Sequence, residues 1–177
     1  MQTPPHIRFA TPEDAARLAA FAAQAFTDTY RDISDAQEIA DYVAEHFQPE
    51  VMDTVIRDPA CAVLLAWVDE QLAGYAIVKD EPAPDCVTGL APLKLWRIYL
   101  GAGFIGRGLG AALMQAVHAE AHRRGARTLW LGVYDRNVRA VEFYERFGFA
   151  KVGGQEFLFG DQIYIDPVYA AVVRPAE

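Results

Sequence analysis

The chain has 177 residues, 53% hydrophobic and 23% charged, which excludes a disordered segment and fits one domain over residues 1–177 with its own core. Its formal net charge of −8 argues against nucleic acid or an anionic membrane as a partner, since both call for a basic surface. Cys61 and Cys86, with no CxxC pair, read as reduced thiols; with no leader segment and no apolar run of about 18 residues, the protein reads as soluble and cytoplasmic.

His6–Ala10 is predicted as a first strand. Thr11 then caps a helix, with Pro12 at its first position and Asp14 completing a Thr-x-x-Asp box. Ala15, Leu18, Ala19, Ala22 and Phe26 share one helical face, and that helix is expected to reach about Tyr30. Ser34 is expected to cap a second helix carrying Ile39, Tyr42 and Val43, and Pro49 to open a third with Met52, Val55 and Ile56. The period then changes. Cys61–Val68 and Leu72–Lys79 read as a hairpin around Asp69-Glu70-Gln71, and Glu81–Pro92, broken by proline and glycine, as a loop. Leu93–Leu100 returns as a strand, followed by a glycine-rich turn and a helix over Leu109–Arg124 that Gly125 ends. Arg127–Tyr134 reads as a buried strand and Val138–Phe147 as a helix. Phe149–Phe159 and Gln162–Val173 read as a closing antiparallel pair, in which Pro167 predicts an edge strand or a bulge. This order predicts an α/β chain of the α+β type: a mixed sheet with helices on both faces.

Strand, glycine-rich turn and helix together form a place to hold a phosphate, because glycine admits an anion to the backbone and free helix N–H groups point at it. Three patterns compete for Leu100–Ala112. A Walker loop is excluded, since Gly110 is followed by Ala111-Ala112 rather than lysine and Ser/Thr. A dinucleotide fingerprint is literally present as Gly101, Gly103 and Gly106. It would place Gly108 and Gly110 inside the helix, at about 1 kcal/mol each relative to alanine. It also leaves too little chain after Asp135 for a doubly wound sheet. The third pattern is Ile105-Gly106-Arg107-Gly108-Leu109-Gly110 behind Leu95–Leu100. It resembles the acyl-CoA pyrophosphate loop of the GNAT acetyltransferases, Q/R-x-x-G-x-G/A, with Ile105 where Gln or Arg is usual and Ala102 where proline is common.

The second half carries the resemblance further. Asn137, Ala140, Phe143, Tyr144, Gly148 and Phe149 match, at matching spacing, the N-x-x-A-x-x-F-Y-x-x-x-G-F core that follows a strand in the same superfamily. The resemblance covers about Val63 to Val152. It implies a mostly antiparallel twisted sheet with one splayed parallel strand pair, and acetyl-CoA as the cofactor. It implies a pantetheine arm lying between Leu93–Leu100 and Arg127–Tyr134, with Ile98, Tyr99 and Leu100 pairing with its amides. It places the pyrophosphate on the N–H groups of Ile105, Gly106, Arg107, Gly108, Leu109, Gly110 and Ala111, with the Arg107 charge alongside.

Asn137 is an N-cap by position, and the resemblance adds a cofactor contact. Tyr144 is the candidate general acid, because a phenol with a pKa near 10 keeps its proton at neutral pH; helical spacing alone would make it a core aromatic beside Phe143 and Phe147. The general base is not legible. The strand Leu93–Leu100 offers Lys94 and Arg97 but no carboxylate, which leaves Asp135, or Tyr134 through a water. Phe26, Tyr30, Tyr42 and Tyr134 are expected around the acceptor, and Asp28, Asp32, Asp35 or Asp41 to attract a cation. His118 and His122 form H-x-E-x-H rather than H-E-x-x-H, so they read as a solvated helix flank and no metal is expected. The expected reaction is direct acetyl transfer to the primary amine of a small molecule, such as a polyamine or another amino compound. Acetylation of a protein N-terminus and a non-catalytic acyl-CoA sensor are the alternatives. A homodimer through the C-terminal strands is expected.

Overall fold

A computed structural model describes residues 4–175. The elements are β1 (His6–Phe9), α1 (Ala15–Tyr30), α2 (Ala36–His46), α3 (Pro49–Arg57), β2 (Cys61–Val68), β3 (Gln71–Lys79), β4 (Pro92–Leu100), α4 (Leu109–Arg123), β5 (Thr128–Gly132), α5 (Val138–Arg146), β6 (Ala150–Phe159) and β7 (Gln162–Val172). They build one seven-stranded mixed sheet in the order β1-β2-β3-β4-β5-β7-β6, in which β4 and β5 alone run parallel. No helix among the described residues is long and apolar enough to cross a membrane.

Alternation along the strands feeds a core on each face. Leu64, Val78, Leu95, Leu129 and Leu131 pack with Leu113 and Val117 of α4. Val63, Leu65, Tyr75 and Ile77 pack with Leu18 and Phe26 of α1 and Met52 of α3. Asp14 anchors the start of the first helical segment. It takes two hydrogen bonds from Arg8, at 2.7 and 2.9 Å, and one from the Thr11 N–H at 2.8 Å. The Arg8 contact holds its pKa down at about 2.

Three expectations change. The cap of α2 is Asp35, not Ser34: its carboxylate accepts from the Gln37 and Glu38 N–H groups at 2.9 and 3.2 Å. β5 stops at Gly132 rather than Tyr134, because the chain turns there and the Asn137 N–H donates back to the Tyr134 carbonyl at 2.9 Å. Pro167 is as expected: although β7 sits between β5 and β6, Pro167 lies just past the last β5–β7 pair, Gly132↔Val168, where only β6 pairs with it, and a register shift stands next to it, between Lys151 and Gly153. His118 is buried rather than solvated, its Nδ1 accepting from the Arg174 N–H at 3.0 Å, while His122 is exposed. Glu120 between them is buried and holds Arg123 and Arg124. Arg124 also donates to the Cys61 carbonyl at 2.9 Å, tying the end of α4 to the start of β2.

Candidate active site

β4 and β5 pair over Pro92↔Thr128, Leu93↔Leu129 and Lys94↔Trp130, and then part. From Trp96 to Leu100 the β5-facing edge of β4 has no strand beside it. A bulge sits at the parting point: Ile77 pairs with Arg97 and Val78 with Leu95, so Trp96 is an extra residue on β4. Ile98 and Leu100 pack into the core on the α4 side of the sheet, while Trp96 and Tyr99 pack into the core on the α1 side. The gap is the middle of a cleft of about 1140 Å³ that passes from one face of the sheet to the other.

At one mouth lies the glycine turn. Gly106 and Gly108 have φ of +80° and +79°, and a Cβ on either would meet nothing within 4 Å, so the left-handed backbone rather than crowding demands glycine here. Gly108 caps α4, leaving the first N–H groups of the helix facing the cleft. Gly110 has a different reason: a Cβ there would stand 2.9 Å from Phe143 of α5, so it sets how closely α4 and α5 approach. Asn137 caps α5 by accepting from the Ala140 N–H at 3.3 Å. Tyr144, about two turns further along, packs edge-on to Phe143 and Phe149 and lines the gap. Burial, and secondarily the neighbouring Tyr99, push its pKa above the usual phenol value.

At the other mouth α1, α2 and the β6–β7 hairpin enclose an aromatic chamber. Tyr42 stacks on Phe26 at 4.6 Å between ring centroids and meets Phe159 at 5.5 Å, which closes the roof. Tyr30 stands 6.2 Å from Tyr134, which in turn stands 6.0 Å from Tyr164. Tyr30 also borders Tyr99, Asn137 and Tyr144, and burial pushes its pKa up to about 12. Asp166 of β7 lines this chamber with 6% exposure, and no group among the described residues donates a hydrogen bond to it. Burial, reinforced by the charge of Asp135, lifts its pKa to about 6.

The cleft therefore brings together Ile98, Tyr99 and Leu100 with Ile105, Gly106, Gly108, Gly110 and Ala111. It adds Asn137 and Tyr144, and on the acceptor side Phe26, Tyr30, Tyr42, Tyr134 and Asp35. Two residues fall outside its lining. The Leu109 side chain is buried in the core, and Arg107 is exposed over the Phe104 ring at 5.9 Å, which leaves their backbone N–H groups for an anion. Asp135 is exposed and off the cleft. Sequence reasoning missed Asp166, and also Arg139 and Arg146, which line the cleft from α5. Among the described residues no three His, Cys, Asp or Glu side chains are placed to hold a metal ion.

An unpaired strand edge ending at a glycine-built helix N-terminus suits a long ligand with amides and a diphosphate. The comparisons with known proteins agree with this geometry. The acetyltransferase (GNAT) family matches residues 21–149, and the chain belongs to that family. It is thus an acetyltransferase, and acetyl-CoA is its cofactor. An uncharacterized N-acetyltransferase of Mycobacterium tuberculosis is 34% identical over 147 residues, 83% of this chain and 90% of that one. The streptothricin acetyltransferase of Streptomyces lavendulae is 34% identical over 91 residues, 51% of this chain and 45% of that one. Among solved structures, the PaiA N-acetyltransferase of Thermoplasma acidophilum in complex with coenzyme A superposes with a TM-score of 0.79 at 21% identity, covering 96% of this chain and 99% of that one.

If the turn is the diphosphate site, Gly108→Val weakens acetyl-CoA binding by about tenfold or more, because a β-branched residue resists φ near +79° and the loop must rearrange. Calorimetric titration reads this directly. An unchanged dissociation constant would place the diphosphate elsewhere.

Proposed function

We propose that the protein, a single acetyltransferase domain, moves an acetyl group directly from acetyl-CoA to the primary amine of a small molecule in a ternary complex. The observation that carries this reading is the through-going cleft, with a helix N-terminus at one mouth and a roofed aromatic chamber with carboxylates at the other. A protein N-terminus would call for an open groove with backbone-pairing edges, whereas Phe26, Tyr42 and Phe159 close this chamber. The class includes polyamines and other amino compounds, and an amine antibiotic falls within it.

When bound, acetyl-CoA supplies an acetyl group activated as a thioester. The N–H groups from Ile105 to Ala111 bind its diphosphate, aided by the positive charge of Arg139 and Arg146. The free edge of β4 at Ile98–Leu100 orients the arm and polarises the carbonyl. Asp166 takes the proton that the ammonium form of the acceptor must lose, since a carboxylate with a pKa of about 6 is ionised at neutral pH and more basic than an ordinary one. Tyr144 Oη keeps its proton through the neutral range and donates to the sulfur as negative charge develops there. The exposed apolar strip of Leu158, Ile163 and Ile165 on the C-terminal hairpin supports a dimer through β6 and β7.

The deciding experiment is acetyl-CoA consumption across amines, polyamines, amino acids, aminoglycosides and peptides, with a sizing column on the same preparation. Turnover with small amines supports the reading. Turnover with peptides alone transfers it to a protein N-terminus, and acetyl-CoA binding with no turnover on any amine leaves a sensor. A melting temperature that acetyl-CoA at millimolar concentration does not raise rejects the whole scheme.

A further inference from the structure

We propose that the acceptor carries a carboxylate as well as its amine, and that Arg97 is the residue that receives it. This names the substrate class of the site just described and rests on that reading.

Arg97 stands on β4 opposite Ile77, beside the bulge, and lines the acceptor side of the cleft with 6% exposure. Its Nη2 donates to the Tyr42 hydroxyl at 3.0 Å, and its Nε has no partner. No carboxylate among the described residues pairs with it, although Arg8, Arg31, Arg57, Arg123 and Arg124 each pair with one. Instead the guanidinium lies against the rings of Phe47, Trp96 and Tyr42, at 4.7, 5.0 and 5.5 Å from their centroids. Ring faces attract a cation, but they offset only part of what it costs to take an ion out of water. His46, stacked on Tyr42 at 4.1 Å, is neutral or cationic and so offers Arg97 no counter-charge; burial and then the charge of Arg97 lower its pKa, which favours the neutral ring.

The fold gains less from this charge than its burial costs. A methionine would fill the same space against the same three rings without desolvating an ion. A bound carboxylate accounts for it: its two oxygens match the guanidinium fork and provide the missing negative charge. The rest of the chamber is complementary, because Asp166 within and Glu38 toward the β6–β7 turn suit an ammonium group. An amino acid satisfies both ends. A bare polyamine satisfies the acidic end and is repelled by Arg97. The same carboxylate could instead sit on the acyl group, which the experiment separates.

The test is calorimetric binding to the CoA-loaded full chain of leucine, phenylalanine, methionine and lysine, each beside its decarboxylated amine. At least one amino acid is expected to bind on the order of 100-fold more tightly than its amine, the size of a buried charge pair. Arg97→Met erases that difference and raises the melting temperature of the ligand-free protein. Arg97→Lys keeps the charge but not the fork and recovers only part of the difference. The proposal is overturned if no amino acid binds, if amino acid and amine bind equally, or if the difference survives in Arg97→Met. A preference for succinyl-CoA over acetyl-CoA that Arg97→Met abolishes also overturns it, by placing the carboxylate on the acyl group. Amino acids that bind through Arg97 without any acetyl-CoA being consumed would sink the acetyl-transfer reading alone. Acetylation of bare amines with no binding of any amino acid would sink this inference alone.

Discussion

Asp166→Asn lowers kcat/KM by on the order of 100-fold or more while raising the melting temperature at neutral pH. Both effects have one origin. The carboxyl is buried, and burial together with the charge of Asp135 moves its pKa from 3.8 to about 6. Between those values the native protein holds a proton that the unfolded chain has released, so stability falls as pH rises through that window. Above about pH 6 the cost of the buried charge is fully developed, and asparagine removes it together with the base. At pH 4 the native carboxyl is neutral and the unfolded one only about half ionised, so most of the stability gain is gone, and it vanishes below the unfolded value of 3.8. Activity runs the other way, since the base works only when ionised: kcat/KM rises with pH through about 6. Asp135→Asn removes the second cause of the shift and moves that acid limb downward without abolishing turnover. Melting curves and rate profiles between pH 4 and 8 read both trends. A variant as active as the parent at pH 7 would show that an ordered water, not Asp166, takes the proton.

The parts of the site legible in the sequence are those whose meaning is local. Gly106 and Gly108 are required by their own φ angles, and Asn137 caps the helix that carries Tyr144. Such features repeat at fixed spacing whatever surrounds them. Asp166 and Arg97 take their chemistry from the tertiary structure instead. Pro167 predicts an edge strand or a bulge, and neither says what Asp166 beside it faces. Asp166 is buried because its side of β7 faces the chamber that α1 and α2 cover, while Ile163 and Ile165 on the other side are exposed, and only the tertiary arrangement supplies that cover. Arg97 stands one position past a bulge that alternation cannot anticipate, and two of the three rings against it come from α2 and the turn after it. His118 fails for a related reason. The buried face of α4 is wide enough to take in Met114 and His118 beside Leu113 and Val117, so a helix flank judged polar is core. The signal available for Asp166 was an acid amid Ile165, Pro167 and Val168 in a strand otherwise apolar.

Tyr144→Phe separates chemistry from packing because it removes one oxygen and keeps the ring. If Tyr144 is only a core aromatic, its contacts with Phe143 and Phe149, at 5.6 and 5.8 Å between centroids, survive in the variant and turnover is untouched. If Oη serves the departing sulfur, kcat falls by on the order of 10- to 100-fold, with kcat/KM falling alike, because the lost contact exists only as the sulfur becomes negative. Acetyl-CoA affinity stays within about twofold in that case, since a thioester sulfur is a poor acceptor before charge develops. The size of the fall reports how the hydroxyl acts. Burial and then Tyr99 raise the pKa of Tyr144, which makes it a weaker acid than a thiol at about 8.5. Its contribution is then a hydrogen bond first and a proton second, which places the loss below that of a fully transferring acid. The raised pKa also fixes the alkaline side of the rate profile: kcat shows no decline from this group up to about pH 10, and a limb near pH 8 would assign the proton to another residue. Tyr144→Ala is the packing control, lowering the melting temperature by opening a cavity beside Phe149, an effect that Tyr144→Phe does not share.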